Sequence, residues 1–407
     1  MAPEPAGATS ADKTAIPDGG LRAWLVVIGA ACNNAATFGL INSWGVFQAY
    51  YETNIMSGIS ASQIAWIGSI QYSLVFLPGL LVGWLFDLGY HKIPVVGASA
   101  LFIVTTFLTP QCTQYWNFLL CQGFVVGLSC GTIFGPTTAV LSQWFQKRLG
   151  VALGVAAVGG SIGGTVFPII ARRLIPVVGF KWTMRIISLI LIMPLGVGSL
   201  TVARRIPPIR VPGGLWNLAA FSSRPYTIYC CSGFVTFLGL YTVLTYIDIS
   251  AERNGISADF SFYLVSIANA ASGISRILSC ETGPLNLMIP MTACAGILTY
   301  VWPLVHGKGL LVTIAVLYGF CIGTYNSLLT LPIISMGVSG DVGRRIGMFM
   351  SITAIGALVG PPISGTINSI TGGYKWVGTY AGSTIMLAVA LIMVVRYLVL
   401  RKMWGKF

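Results

Sequence analysis

The sequence predicts an all-α membrane protein of twelve transmembrane helices, arranged as two parallel six-helix repeats. Three observations carry that prediction. Of 407 residues, 55% are hydrophobic and 8% charged, whereas a soluble globular chain carries about 25% charged residues. Apolar runs of about 18 residues or more, the length that crosses a bilayer as a helix, can be drawn twelve times. Short motifs also return at offsets of 192 to 197 residues. Lipid offers the backbone no partner, and runs this long exceed barrel strands, so the spans must be helices. The composition excludes an ordinary soluble enzyme, a disordered chain and a disulfide-rich secreted module.

Taken in order, residues 1–21 form a tail of Pro, Ala, Ser and Thr without the short apolar core of a signal peptide. It is expected to be a disordered cytoplasmic tail. The first six spans, 23–50, 63–86, 93–109, 115–145, 150–174 and 182–202, make an N-terminal half of residues 22–203. Residues 204–223 hold Pro207-Pro208, Pro212 and Gly213-Gly214, which read as a cytoplasmic linker. The last six spans, 226–249, 260–279, 285–305, 309–334, 347–370 and 376–400, make a C-terminal half of residues 224–407.

The net charge of +13 fits cytoplasmic loops beside anionic lipid. With both termini inside, fifteen of the 23 basic residues face the cytoplasm and seven face outward, while Arg276 falls within a span. Four of the outward seven, Arg172, Arg173, Lys181 and Arg185, are assigned to the loop after the fifth span. No basic segment is interleaved with aromatics, so nucleic acid is not an expected partner. The nine cysteines lie almost all in apolar runs without a CxxC, and the two histidines, His91 and His306, fall in loops. Neither metal nor triad chemistry is expected, and no cofactor is called for.

The repeat is visible in particular residues. Gly179-Phe180-Lys181-Trp182 returns as Gly373-Tyr374-Lys375-Trp376, and Gly131-Thr132 as Gly323-Thr324. Gly150, Gly159 and Gly163 match Gly347, Gly356 and Gly360. Parallel halves of this kind are the plan of the major facilitator fold, with a substrate cavity between them at mid-membrane. The fifth span carries Gly150, Gly154, Gly159, Gly160, Gly163 and Gly164; small residues at this spacing let helix backbones approach closely.

Other motifs carry a family resemblance. Asp18-Gly19-Gly20 and Ala23-Trp24 open the first span, which continues through Ser43-Trp44-Gly45-Val46-Phe47 to Tyr50-Tyr51. Phe134-Gly135-Pro136 is followed by Leu141-Ser142-Gln143-Trp144-Phe145-Gln146-Lys147-Arg148 and Gly150-Val151-Ala152. Over nearly its whole length the chain resembles the monocarboxylate porter family of the major facilitator superfamily, in its fungal branch. The loop Gly83-x-Leu85-Phe86-Asp87-x-Gly89-Tyr90-His91-Lys92 resembles the superfamily's gating motif. Gly83, Asp87, Gly89, Lys92 and Arg148 are therefore the gating candidates. Asp87 is placed to cap a neighbouring helix N-terminus and pair with a loop cation. The Arg that usually follows this Asp is Leu88 here, and the corresponding loop after the eighth span is about four residues short before Gly283-Pro284-Leu285-Asn286.

Arg276 is the sharpest candidate for substrate binding. An Arg within a span is costly and normally faces a cavity, and its planar fork suits a carboxylate. Its other reading is a snorkelling side chain near the end of a short helix. The resemblance implies that it binds a substrate carboxylate. Asn269 and Ser272 share its helical face. Asn42, Trp44, Tyr241, Tyr325 and Asn326 complete the candidate set, with Asn34, Tyr72 and Tyr246 as further polar residues in spans. The family's first-span Lys falls at Asn42, and the carboxylate one turn before its eighth-span Arg falls at Ser272. No acid lies at mid-span, so a simple lactate–proton mechanism is not supported.

The expectation is a secondary transporter working by alternating access, exporting a carboxylated or aromatic secondary metabolite. Uptake of a monocarboxylate or a riboflavin-like vitamin is the alternative within the class, and a transport-inactive membrane sensor the alternative outside it. An enzyme is not expected, because no paired carboxylates or nucleophile–base pattern lie in the spans. The partners called for are a small-molecule substrate and the bilayer, with the chain acting as a monomer in the plasma membrane.

Overall fold

The computed structural model describes residues 17–207, 214–278, 284–337 and 341–401, and every regular element among them is helical. The membrane helices are α1 (Leu21–Ile55), α2 (Gln63–Asp87), α3 (Lys92–Gln111) and α4 (Tyr115–Leu141). Next comes a single rod, Leu149–Thr201, which contains α5 and α6 on either side of Gly179. Then follow α7 (Arg224–Arg253), α8 (Ala258–Leu278), α9 (Leu285–Leu304), α10 (Lys308–Ser335), α11 (Val342–Thr371) and α12 (Lys375–Leu400). All twelve expected spans correspond to helices. The tail to residue 16, residues 208–213 of the linker and the short loop at 279–283 lie outside the described residues.

One expectation is corrected. The loop after the fifth span is a single residue, Gly179 (φ 77°, ψ 164°). Its φ falls where glycine is at ease and L side chains are not. Arg172, Arg173 and Arg185 therefore sit on helices, with Arg185 over the Trp182 ring at 5.0 Å. Much of the charge assigned to that loop thus lies on helix residues.

Two related helices break at related places. In α1 the break is Ser43, whose hydroxyl donates to the Gly39 carbonyl at 2.9 Å; in α7 it is Leu240–Tyr241. Beyond the breaks the repeat persists in the packing. Tyr50 stacks on Phe180 (5.2 Å, 16°) and Tyr246 tilts against Tyr374 (5.9 Å, 45°).

The helices meet along glycine seams. A Cβ on Gly159 or Gly163 would overlap the carbonyls of Ala31 and Ala35, so α5 lies against α1 backbone to backbone. Gly83 meets the Gly343 carbonyl and Gly347 the Gly79 carbonyl, which seats α2 on α11 across the two halves. α5 and α8 make the other long contact between halves, including Asn269 Nδ2 donating to the Gly164 carbonyl (3.3 Å). The described part of the linker is docked rather than free: Asn217 Nδ2 donates to Asp341 Oδ2 at 2.7 Å beside the start of α11.

Gly159→Val tests the α1–α5 seam. The clash is with backbone, so the chain is expected to lose about 1–3 kcal/mol. A lowered melting temperature in detergent checks it, with Gly45→Val, which meets open space, as the tolerant control.

Candidate functional site

A cavity lies between the halves, walled by α1, α2, α4, α5, α7, α8, α10 and α11. It is narrow. The space open to water centres is about 80 Å³, where one water needs about 10–15 Å³. Of the eight substrate-site candidates, Arg276, Asn269, Ser272, Asn42, Tyr241 and Asn326 line it. Trp44 and Tyr325 do not. Beyond the Ser43 break, Trp44 turns away to cover Gly68 on α2, and its Nε1 donates to Gln48 Oε1 at 2.7 Å. Tyr325 is buried at 1% exposure on the packed side of α10. Hydropathy and sequence order do not report the helix phase that separates these two from their neighbours.

The guanidinium of Arg276 is held in the wall. Its Nε donates to Ser272 Oγ (3.2 Å), one turn back on α8, and its Nη1 donates to the Ala157 carbonyl of α5 (2.6 Å). The head group thus reaches across the interface between the halves rather than along α8 to the membrane surface. Among the described lining residues it is the one charged side chain.

The opposite wall is aromatic. Phe38 meets Phe134 edge-on (5.0 Å, 87°), and Phe76 meets Phe237 the same way (5.2 Å, 86°). Edge-to-face rings of this kind pack a wall that accepts a flat apolar body. Two pairs cross between the halves nearer the Gly179 face. Tyr72 and Tyr241 lie 4.7 Å apart between ring centroids. Asn42 and Asn269 meet over Gly164, where a Cβ would come 2.7 Å from Asn42 Nδ2 and 3.3 Å from Asn269 Cγ. Asn34, Tyr72 and the four phenylalanines also line the cavity and were not among the candidates. Asn34 and Tyr72 were visible as polar residues in spans, but no sequence signal marks the phenylalanines as different from core.

On the linker face the cavity is shut. Leu331 and Ile334 of α10 pack into the cluster of Leu141, Trp144, Leu149 and Leu153. At the edge of this closure stands Asp87. Its carboxylate accepts from the backbone N–H groups of Gly343 (3.2 Å) and Arg344 (2.9 Å) and pairs with Arg344 Nε (3.4 Å). A carboxylate at the first turn of α11 meets the positive end of the helix dipole. The cation is thus on α11, not on a loop. The adjacent Arg344-Arg345 at the start of the eleventh span was the available signal. Gly83 permits the contact, and Gly89 takes φ 101° in the turn that follows. Lys92 and Arg148 are exposed; Arg148 takes part only through its backbone N–H, which donates to Asp18 Oδ1 at 3.3 Å together with those of Gln146 (2.6 Å) and Lys147 (2.7 Å).

His91 lies buried between α2 and α3, edge-on to Phe86 at 5.9 Å, with the Arg204 guanidinium over the same ring at 4.4 Å. Burial, with Arg204 nearby, lowers its pKa to about 4.

Comparison with known proteins places the chain. The family model described as Major Facilitator Superfamily matches residues 24–337. The "MFS transporter asaE" of Aspergillus flavus is 33% identical over 388 residues, covering 93% of this chain and 88% of that protein. The "Aspyridones efflux protein apdF" of Emericella nidulans is 33% identical, covering 91% and 77%. The "MFS-type transporter dbaD" of the same organism is 35% identical, covering 91% and 85%. Among solved structures, the human organic anion transporter MFSD10 superposes with a TM-score of 0.73 at 15% identity, covering 95% of this chain and all of that one. The Escherichia coli fucose:proton symporter FucP gives 0.69 at 14%, covering 90% and 98%.

Two outcomes follow from the linker face. Asp87→Ala leaves Arg344 buried and without this carboxylate, and is expected to cost about 3–5 kcal/mol, read as a lower melting temperature than that of Asp87→Asn. For His91 the folded pKa lies below its ordinary value of 6.5, so the unfolded chain binds the proton more readily. Its stabilising contribution is complete above about pH 6.5 and is lost as the pH falls towards about 4. Melting curves across that window should flatten in His91→Gln.

Proposed function

Because the chain belongs to the Major Facilitator Superfamily, we propose that it is a secondary transporter exporting a carboxylated, aromatic secondary metabolite by alternating access. The single observation that carries the reading is Arg276 in the wall of the cavity between the halves. Its guanidinium offers a carboxylate a charge-assisted hydrogen bond, and the ring-lined wall of Phe38, Phe76, Phe134 and Phe237 takes the apolar body. The cavity supplies a positive charge and no negative one among its described lining residues, which favours an organic anion over a cation. Export is supported by the aspyridones efflux protein, a relative of which 77% is covered. The monocarboxylate porter family is the branch whose motifs the chain carries at Asp18-Gly19-Gly20 and Gln143-Trp144-Phe145. With both termini cytoplasmic, the linker face, its Asp87 closure and the gating candidates face the cytosol of a chain in the plasma membrane.

In this reading Asp87, Gly83 and the start of α11 hold the cytosolic side closed. Separation of that contact admits substrate from the cell, and reclosure with parting of the Tyr72–Tyr241 and Asn42–Asn269 pairs releases it outside.

Untargeted metabolite profiling of cells and medium tests the proposal. Deletion of the gene is expected to move an aromatic acid from medium into cells, and Arg276→Ala to reproduce that shift while the protein still reaches the membrane. An Arg276→Ala strain with the wild-type profile would overturn the carboxylate clamp. A compound left unconsumed in the medium of the deletion strain would overturn export in favour of uptake.

A further inference from the structure

The wall beside Arg276 contains a hydrogen-bond acceptor without a donor among the described residues. Asn34 lines the cavity at 5% exposure. Its Nδ2 donates to the Ala156 carbonyl at 2.9 Å. A carbonyl only accepts, so this bond fixes which end of the amide is nitrogen and leaves Oδ1 turned the other way. Asn34 Oδ1 is buried and has no donor among the described residues. Buried acceptors are nearly always satisfied, and one that is not points to a missing partner.

Its position gives it meaning. Asn34 is tied to the carbonyl of Ala156 and Arg276 to that of Ala157. Consecutive residues of one helix therefore hold an orphan acceptor and a guanidinium. On the next turn of α5 a Cβ on Gly160 would just touch Phe38 (3.4 Å) and Arg276 Nη1 (3.6 Å), so glycine leaves the room of about one methyl group between the cation and the aromatic wall. A ligand seated there would place an anionic oxygen at Arg276 and a donor at Asn34 Oδ1. The carboxamides of Asn42, Asn269 and Asn326, also in the wall, add N–H donors for a neighbouring carbonyl. An amide, whose N–H donor and carbonyl acceptor are separate groups, can meet Asn34 Oδ1 and one of these carboxamides at once.

We propose that the cavity selects anions bearing an amide or lactam N–H next to the anionic oxygen, as in an N-aroyl amino acid, and that Asn34 is the specificity-determining residue for that N–H. The inference rests on the reading of Arg276 as the anion's partner.

Three probes separate the two ideas: hippurate (N-benzoylglycine), 4-phenylbutyrate, which replaces its amide by two methylenes at the same length, and hippuramide, which lacks the charge. Each is titrated against the purified full chain, with the rise in melting temperature as the readout. Hippurate is expected to half-saturate at about tenfold lower concentration than 4-phenylbutyrate, the worth of one buried hydrogen bond. Asn34→Leu is expected to bring hippurate to the level of 4-phenylbutyrate and to leave 4-phenylbutyrate unmoved. Equal titrations of hippurate and 4-phenylbutyrate in the wild type, or no shift from either, overturn the proposal without recourse to any variant. A hippuramide titration equal to that of hippurate overturns the anion reading of Arg276 instead, and leaves the amide preference standing on its own comparison.

Discussion

Helices in a bilayer gain nothing hydrophobically by meeting, because lipid tails are as apolar as their own side chains. They associate where backbones come close enough for dense van der Waals contact, and that requires small residues at the contact. Many of the 49 glycines of this chain meet that constraint at helix contacts. α5 lies on α1 through Gly159 and Gly163, α2 on α11 through Gly79, Gly83, Gly343 and Gly347, and α10 on α8 through Gly319 and Gly323. Seams of this kind hold helices together without interlocking side chains. The contact of α2 with α11 therefore needs something else to fix its closed position, and the Asp87 carboxylate at the end of α11 supplies it.

Two carboxylates on the linker face bind backbone N–H groups at the entries of related helices. Asp18 takes three from the turn leading into α5, and Asp87 takes two from the first turn of α11. α5 and α11 correspond in the repeat, so the two sites look equivalent. They are not. Asp18 stands just ahead of α1, on the same side of the linker as α5, and their bond shapes that half alone. Asp87 and α11 belong to different halves, and their bond holds the halves to each other. It also sits beside a buried Arg344, where removal of the partner leaves a charge stranded in a low-dielectric setting. The repeat in the sequence conveys the geometry, and only the fold shows which of the two acids bridges the halves.

What was legible in the sequence follows the same division. Spans, repeat and linker position depend on composition over twenty residues at a time, and all twelve spans found their helices. Arg276 and Asp87 were legible because a charge in or beside an apolar run must have a reason. The rest depends on helix phase and tertiary approach. One broken residue, Ser43, turns Trp44 onto Gly68 and away from the cavity that Asn42 lines. Tyr325 and Asn326 are neighbours in sequence, yet successive residues of a helix point about 100° apart, and only Asn326 faces the cavity. The fifth and sixth spans run together because Gly179 alone makes the turn, which no hydropathy window resolves. Asn34 looked like any polar residue that bonds a neighbouring helix; half of it does, and the oxygen left without a donor among the described residues becomes visible only in the fold.

The two ends of the cavity are closed by different chemistry, and this bears on how it opens. On the linker face, opening separates a buried ion pair, two backbone bonds to a carboxylate, and the apolar packing of Leu331 and Ile334. Towards the Gly179 face, the crossing contacts include an edge-on pair of tyrosine rings and two carboxamides over a glycine. Gly164 is seven residues beyond Ala157, about 10 Å further along α5, so the two carboxamides lie on the Gly179 side of the carbonyl that holds Arg276. Phenols and carboxamides lose little when they part, since water or a ligand can satisfy them. A buried carboxylate and guanidinium must be rehydrated, and the carboxylate must also leave the helix end it caps. Closure therefore rests more heavily on the charged side, and the space of about 80 Å³ is too small for a ring-bearing acid unless one of the ends gives way. A ligand that replaces the Asn42–Asn269 and Tyr72–Tyr241 contacts with its own can open the weaker end at little cost, whereas nothing it carries in the cavity can replace the bond between Asp87 and α11.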